Sequence, residues 1–244
     1  KREERKEEII RLIDEQGKLT EDLATAITKA TVLQRVEDLY RPYKQKRRTK
    51  ATIAKERGLE PLADKIMELT RGDITQFAQK FIDVDQDVST IEEALSGARD
   101  ILAERFADDA AVRDKLRQLS WREGKIETAI KTSGKDEKQI FEMYYEYEEP
   151  VSRVAPHRIL AMNRGEKEDV LRVSIHVPAE RAIQVMEQQW VPRNFSGSSI
   201  EEVKIAVADS YKRLVQPSIE RELRGELTAK GETQAIHIFS ENLR

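Results

Sequence analysis

The chain has 244 residues, enough for one large or two small domains with a sizeable core. Charged residues make up 36% of it against 6% aromatics and ten glycines, a balance that favours helix over sheet, and the net charge is −3. There is no cysteine, so disulfides and thiolate metal sites are excluded and a reducing cytoplasm fits, and no apolar run approaches the roughly 20 residues needed to cross a bilayer.

Lys1 to Glu8 are all charged and lack the apolar core of a signal peptide. The chain starts mid-helix without a methionine or a cap, which reads as a fragment. Glu4–Glu15 is a helix with Ile9, Leu12 and Ile13 on one face and Gly17 after it. Thr20 caps a second helix, and the capping-box pattern Thr31-x-x-Gln34 opens a third that ends before Pro42. A helix restarts near Thr49 or Thr52 and stops at Gly58, with Leu59 placed for a Schellman contact. Pro61 starts Leu62–Leu69, and Asp73-x-x-Gln76 opens another helix with Phe77 and Phe81 one turn apart. Ser89-x-x-Glu92 caps a helix carrying Ile91, Leu95, Ala98 and Leu102, and a further helix after Asp108 carries Val112, Leu116 and Leu119.

Pro150 and Pro156 bracket a bend, predicted as the boundary between a helical region 1–150 and a second region 151–244. Pro156 and Gly165 frame a short helix. Val170–Val177 alternates apolar with polar and is the best strand, with Ile126–Lys131 a weaker partner for it. Ala179–Trp190 is helical, with Ile183, Met186 and Trp190 on one face. Ser198-x-x-Glu201 caps a long helix, interrupted at Pro217–Ser218 and again at Gly231. The predicted fold is mainly α: a multihelical bundle of short antiparallel helices with at most a small β element near 170–177.

Charge is segregated. Arg41, Lys44, Lys46, Arg47, Arg48, Lys50, Lys55 and Arg57 stand against the single acid Glu56, a net +7 over 41–57. Asp83–Asp114 carries a net −7 and Asp136–Glu149 a net −5. The acidic stretches read as solvated faces or, alternatively, as shields for the basic connector. Phe141–Tyr147 is aromatic, but its interleaved glutamates repel phosphate, so its tyrosines read as packing residues.

Candidate chemistry is sparse. Asp83-Val-Asp-Gln-Asp87 opens like a calcium loop but has Val88 and Ala94 where glycine and glutamate are required. His157, His176 and His237 stand apart from one another, without metal-ligand spacing. No phosphate-binding glycine loop, dinucleotide fingerprint or nucleophile elbow is present. No catalytic residue, metal or cofactor is therefore assigned. The nucleic-acid-binding candidates are Arg41, Lys44, Lys46, Arg47, Arg48 and Lys50, which hold phosphate through charge, with Tyr40 and Tyr43 able to stack on a base. Such contacts go to the backbone and carry no sequence specificity. The competing reading is that both tyrosines pack and anchor the loop while the bases pair with acidic helices of another domain.

The stretch LYRPYKQKRRTKATIAKERGLEPLA, Leu39 to Ala63, resembles the hallmark segment of the bacterial Tex proteins, transcription accessory factors. Pro156–Leu171, Tyr211–Arg224 and Ala235–Arg244 agree with it and keep the family's order. The resemblance covers the helical N-terminal part of such a protein, including a helix-turn-helix-like part. It implies a cytoplasmic, nucleic-acid-binding role in transcription, with RNA or DNA and transcription-complex proteins as partners. It further implies an RNase H-like domain, helix-hairpin-helix modules and an RNA-binding domain beyond Arg244, on which this region docks. The expected function is a non-enzymatic helical part that helps hold nucleic acid through the connector. A purely structural scaffold is the alternative, and a metal-dependent phosphoesterase using Asp83–Asp87 is a third reading.

Overall fold

A computed structural model describes residues 1–69 and 71–243; Arg244, which ends the last of the matching stretches, lies outside them. Among the described residues the helices run, in chain order, α1 (Arg2–Glu15), α2 (Glu21–Lys29), α3 (Leu33–Tyr40), α4 (Lys50–Glu56), α5 (Glu60–Met67), α6 (Ile74–Gln79), α7 (Ile91–Ala107), α8 (Ala110–Glu123), α9 (Pro156–Lys167), α10 (Ala179–Trp190), α11 (Ser198–Asp209) and α12 (Gln216–Asn242). Strands β1 (Lys125–Ile130), β2 (Glu146–Pro150) and β3 (Leu171–His176) complete the fold, which is mainly α with a small sheet. None of these helices is long and apolar enough to cross a membrane. The chain divides into two compact units, Lys1–Lys115 with Ile183–Val215, and Leu116–Ala182 with Gln216–Arg244. The bend from Pro150 to Pro156 lies inside the second unit.

In the first unit, α1, α2 and α3 close a small core of Ile9, Ile13, Ile27, Ala30, Val36 and Tyr40. The Thr20 hydroxyl accepts from the Leu23 N–H at the start of α2. The Thr31 capping box does not form. Val32 takes the N-cap of α3 without a side-chain bond, and the Thr31 carbonyl instead accepts from Arg2.

The larger core of the unit is built on α7. It buries Leu95, Ala98, Ile101, Leu102 and Phe106 and packs against α4, α5, α6 and α11. Each of its fully buried large side chains contributes about 1.5–3 kcal/mol. Gly97 lets α7 approach closely, since a methyl there would overlap Leu59 Cδ1 and touch Ala54. Capping of α7 sits one residue past the predicted Ser89: the Thr90 hydroxyl accepts from the Glu93 N–H at 3.0 Å, and Glu93 accepts from the Ser89 N–H. Ser198 is likewise no cap; its hydroxyl accepts from the Ile74 N–H at 3.0 Å.

In the second unit the strand order is β2-β1-β3, antiparallel throughout. The Ile126–Lys131 segment pairs with the predicted strand, and β2 adds a third strand that its sequence does not signal. Ile126, Leu171, Val173 and Ile175 are buried. Helix α9 covers β3, and α12 runs along α9.

Two glycines read as breakers are helical. Gly165 lies inside α9, where a Cβ would overlap Leu171, and Gly231 lies inside α12, where a Cβ would stand 3.2 Å from the Pro156 carbonyl. Both mark close packing and not chain breaks. Pro217 does not break the helix either. A π-helical turn, Ser210–Val215, precedes it, so the missing N–H falls where the ladder has already widened.

Candidate nucleic-acid interface

The basic connector is built by strong local signals at both ends. After α3 the chain makes a 3-10 turn, Arg41–Tyr43, which accepts Pro42 because the first residues of a helical turn need no N–H partner. Lys44 then turns extended. At the far end Thr49 caps α4: its hydroxyl accepts from the Thr52 N–H, and the Thr52 hydroxyl accepts from the Thr49 N–H. Gly58, at φ +77°, closes α4 in a Schellman motif, with Leu59 N–H bonding the Ala54 carbonyl and Gly58 N–H the Lys55 carbonyl.

The six candidate bases fall into two groups. Lys46 and Arg41 pair with Asp108, at the end of α7, with 28% and 39% of their side chains still exposed, and Lys46 also reaches Glu104 at 3.4 Å. Asp108 is 9% exposed. Burial pushes its carboxyl above the ordinary range, and the hydrogen bond from Lys46 opposes that rise. The Thr49 hydroxyl donates to Glu104 at 2.9 Å, so α7 fixes the connector at two points. Lys44, Arg47, Arg48 and Lys50 are exposed. Arg48 pairs with Glu56 at 2.6 Å across solvent, a contact of small energy. Lys44, Arg47 and Lys50 have no ion pair within 4 Å among the described residues.

The two tyrosines differ in burial. Tyr40 is buried in the α1–α3 core with the Arg5 guanidinium over its ring at 5.5 Å, which leaves no face for a base. Tyr43 is half-buried on the same core, and its carbonyl accepts from the Gln16 side chain at 2.6 Å. Tyr40 thus packs in the core, while Tyr43 keeps part of its surface exposed. The pairs of Arg41 and Lys46 with Glu104 and Asp108 lie within one unit, at the C-terminal end of α7.

Helix α4 is flanked by two clefts of mixed charge. One, of about 470 Å³, brings Lys44, Lys46, Lys55 and Arg105 together with Glu104, Asp108 and Asp109. The other, of about 480 Å³, sets Lys50 and Arg57 beside Glu92, Glu93 and Asp100. The cationic surface is therefore a narrow ridge bordered by carboxylates. Glu104 and Asp108 are the residues the sequence reading did not single out. The only signal for them was the net charge of the segment Asp83–Asp114.

The other candidates are dispersed. Asp83 and Val88 exchange backbone hydrogen bonds, and the Asp83 carboxylate accepts from the Asp85 N–H at 3.1 Å, so the acidic loop is a closed turn. His157 opens α9, His176 ends β3, and His237 lies 3.2 Å from Glu241 on α12. Among the described residues no group of three or more His, Asp or Glu side chains is placed to hold a metal ion.

Comparison with known proteins matches residues 71–239 to the family described as Tex central region-like. The chain is 53% identical over 243 residues to the uncharacterized protein YdcI of Bacillus subtilis, covering 99% of this chain and 34% of that protein. It is 37% identical over 246 residues to the transcriptional accessory protein Tex of Neisseria gonorrhoeae, covering 99% of this chain and 32% of that one. The human S1 RNA-binding domain-containing protein 1 is 31% identical over 247 residues, 96% of this chain and 25% of that protein. The chain thus spans about a third of the length of its bacterial relatives. A family match over most of the chain, with relatives 37% and 53% identical over 99% of it, means that this chain belongs to the Tex family.

Proposed function

We propose that this chain is a non-enzymatic helical part of a transcription accessory factor, acting in the cytoplasm, that holds RNA or DNA by its phosphates. The observation that carries the reading is the division within the connector. Arg41 and Lys46 are paired with Asp108, though still partly exposed, while Lys44, Arg47, Arg48 and Lys50 are exposed and free of that carboxylate, on a segment fixed at both ends. A loop held this way loses little conformational freedom when phosphate binds, and Arg forks onto phosphate bidentately. The relatives' names add transcription and RNA binding as the setting. Arg41 and Lys46 act as positioning residues, and Tyr40 and Tyr43 as anchors of the loop.

Fluorescence anisotropy with mixed-sequence single- and double-stranded RNA and DNA, across a salt series, tests the proposal. Each phosphate contact contributes a log–log slope of about −0.9 on duplex and about −0.7 on a single strand. The variant Lys44→Ala/Arg47→Ala/Lys50→Ala is expected to lower the slope by two to three contacts' worth while leaving the circular dichroism unchanged. Absence of binding by the folded chain would favour the structural scaffold, a reading supported by the pairing of Lys46 and Arg41 with Asp108.

A further inference from the structure

The sheet of the second unit ends differently on its two sides. Lys131 N–H bonds the Val170 carbonyl at 2.9 Å, so the backbone groups of Leu171, Val173 and Ile175 face away from β1. Side chains from α12 bond two of these groups. The Val173 carbonyl accepts from Arg224 at 3.2 Å, and the Ile175 N–H donates to Glu220 at 3.0 Å. On the β2 side, Ile130 N–H bonds the Tyr145 carbonyl and Val151 N–H the Gly124 carbonyl, both at 3.0 Å. Antiparallel alternation then turns Tyr147 and Glu149 toward β1 and leaves the backbone N–H and C=O of Glu146 and Glu148 facing outward. Among the described residues nothing bonds them.

The same side of the sheet is acidic. Glu127 stands directly opposite Glu148, and Glu146 lies opposite Ala129 on the same face. Lys125 approaches Glu148 at 3.6 Å, with both side chains more than half exposed. With Arg172 and Ser174 these glutamates line a shallow cleft of about 590 Å³. Like charges set across a strand pair repel, and a cation between them relieves the repulsion.

We propose that β2 is a docking edge for an extended basic segment of a partner protein. The segment adds as a fourth strand beside β2. Its backbone pairs with Glu146 and Glu148, and Lys or Arg at every second residue lies over Glu127, Glu146 and Glu148. The glutamates turn away acidic strands, and Pro150, which lacks an N–H, limits the length of the added ladder. This site lies apart in sequence from the connector and does not depend on its nucleic-acid reading.

The test titrates the full chain with a labelled peptide of about nine alternating Lys and Thr residues, long enough for one strand. A second peptide is N-methylated at alternate amides, and a third has Glu in place of Lys. The Lys peptide is expected to bind, with N-methylation weakening it about tenfold, the loss expected of two backbone hydrogen bonds. Glu146→Gln/Glu148→Gln, both exposed, is expected to weaken binding without changing the melting curve. Exchange of the Glu146 and Glu148 amides slows in the complex. Equal binding of the parent and N-methylated peptides would reduce the site to charge alone and overturn strand addition. No binding of the Lys peptide would overturn it as well, leaving the glutamates as guards against self-pairing.

Discussion

Arg224 is the polar hub of the second unit, and its removal has a calculable cost. Its guanidinium bonds Glu166 twice, at 2.7 and 3.2 Å, Asn163 Oδ1 at 3.0 Å and the Val173 carbonyl at 3.2 Å. One side chain therefore ties α12 to α9 and to the outer edge of β3. The Glu166 side chain is 41% exposed, so that ion pair contributes only about 1 kcal/mol. The Val173 carbonyl sits on a 7% exposed residue, and leaving it unpaired costs about 1–2 kcal/mol. The Asn163 bond adds about 1 kcal/mol. Arg224→Ala is thus expected to lose about 3 kcal/mol, and Arg224→Met, which keeps the aliphatic stem, nearly as much. In a Trp190→Phe background Trp121, in the second unit, is the sole tryptophan and reports urea unfolding. At about 1.5 kcal/mol per molar urea the midpoint should fall by about 2 M. A shift under about 0.3 M for Arg224→Ala would refute the assigned cost altogether, and an Arg224→Met protein as stable as wild type would show that the stem's packing, and not the hydrogen bonds, holds these elements together.

Three other outcomes follow from the same contacts. Gly165→Ala gains helix propensity but drives a methyl into Leu171, so a net loss of about 1–2 kcal/mol is expected in urea unfolding. Glu149 takes two hydrogen bonds from Arg158, at 2.7 and 2.9 Å, and these hold its carboxyl below the usual range. A depressed folded pKa gives stability that is present above the unfolded value of about 4.3 and is lost as pH falls below it. Glu149→Gln should therefore flatten the acid limb of a stability-against-pH curve measured by urea midpoints, and an unchanged limb would refute the assignment. Lys46→Ala leaves Asp108 buried without its nearest cation, and a loss of about 1–2 kcal/mol is expected. Asp108→Asn in the Lys46→Ala background should recover part of that loss, because the buried carboxylate, left with Arg41 alone, is gone.

Local signals were legible in the sequence and long-range ones were not. Thr20, Thr49, Gly58 and Asp73 end or start helices as read, since each acts on backbone groups within a few residues. Thr31, Ser89 and Ser198 carry the same signal but cap nothing by side chain, because a neighbouring residue or a distant backbone group took the position or the hydroxyl. Gly165 and Gly231 look like breakers along the chain and are close-packing sites only in three dimensions. Strand β2 was hidden because Glu146-Tyr-Glu-Glu-Pro150 has no apolar alternation; it is an edge strand with an acidic outer face. In the candidate site, the charge of the connector was plain. What sequence could not supply was which bases face outward, since that depends on Glu104 and Asp108, more than fifty residues away.

The division of labour within the connector is open to direct measurement by lysine acetylation with mass spectrometry, with and without bound RNA or DNA. Lys44 and Lys50 should be modified readily in the free protein and protected in the complex, while Lys46, held by Asp108 and Glu104, should react slowly in both. Unchanged acetylation of Lys44 and Lys50 on saturation with nucleic acid would contradict the account and place the phosphate contacts elsewhere.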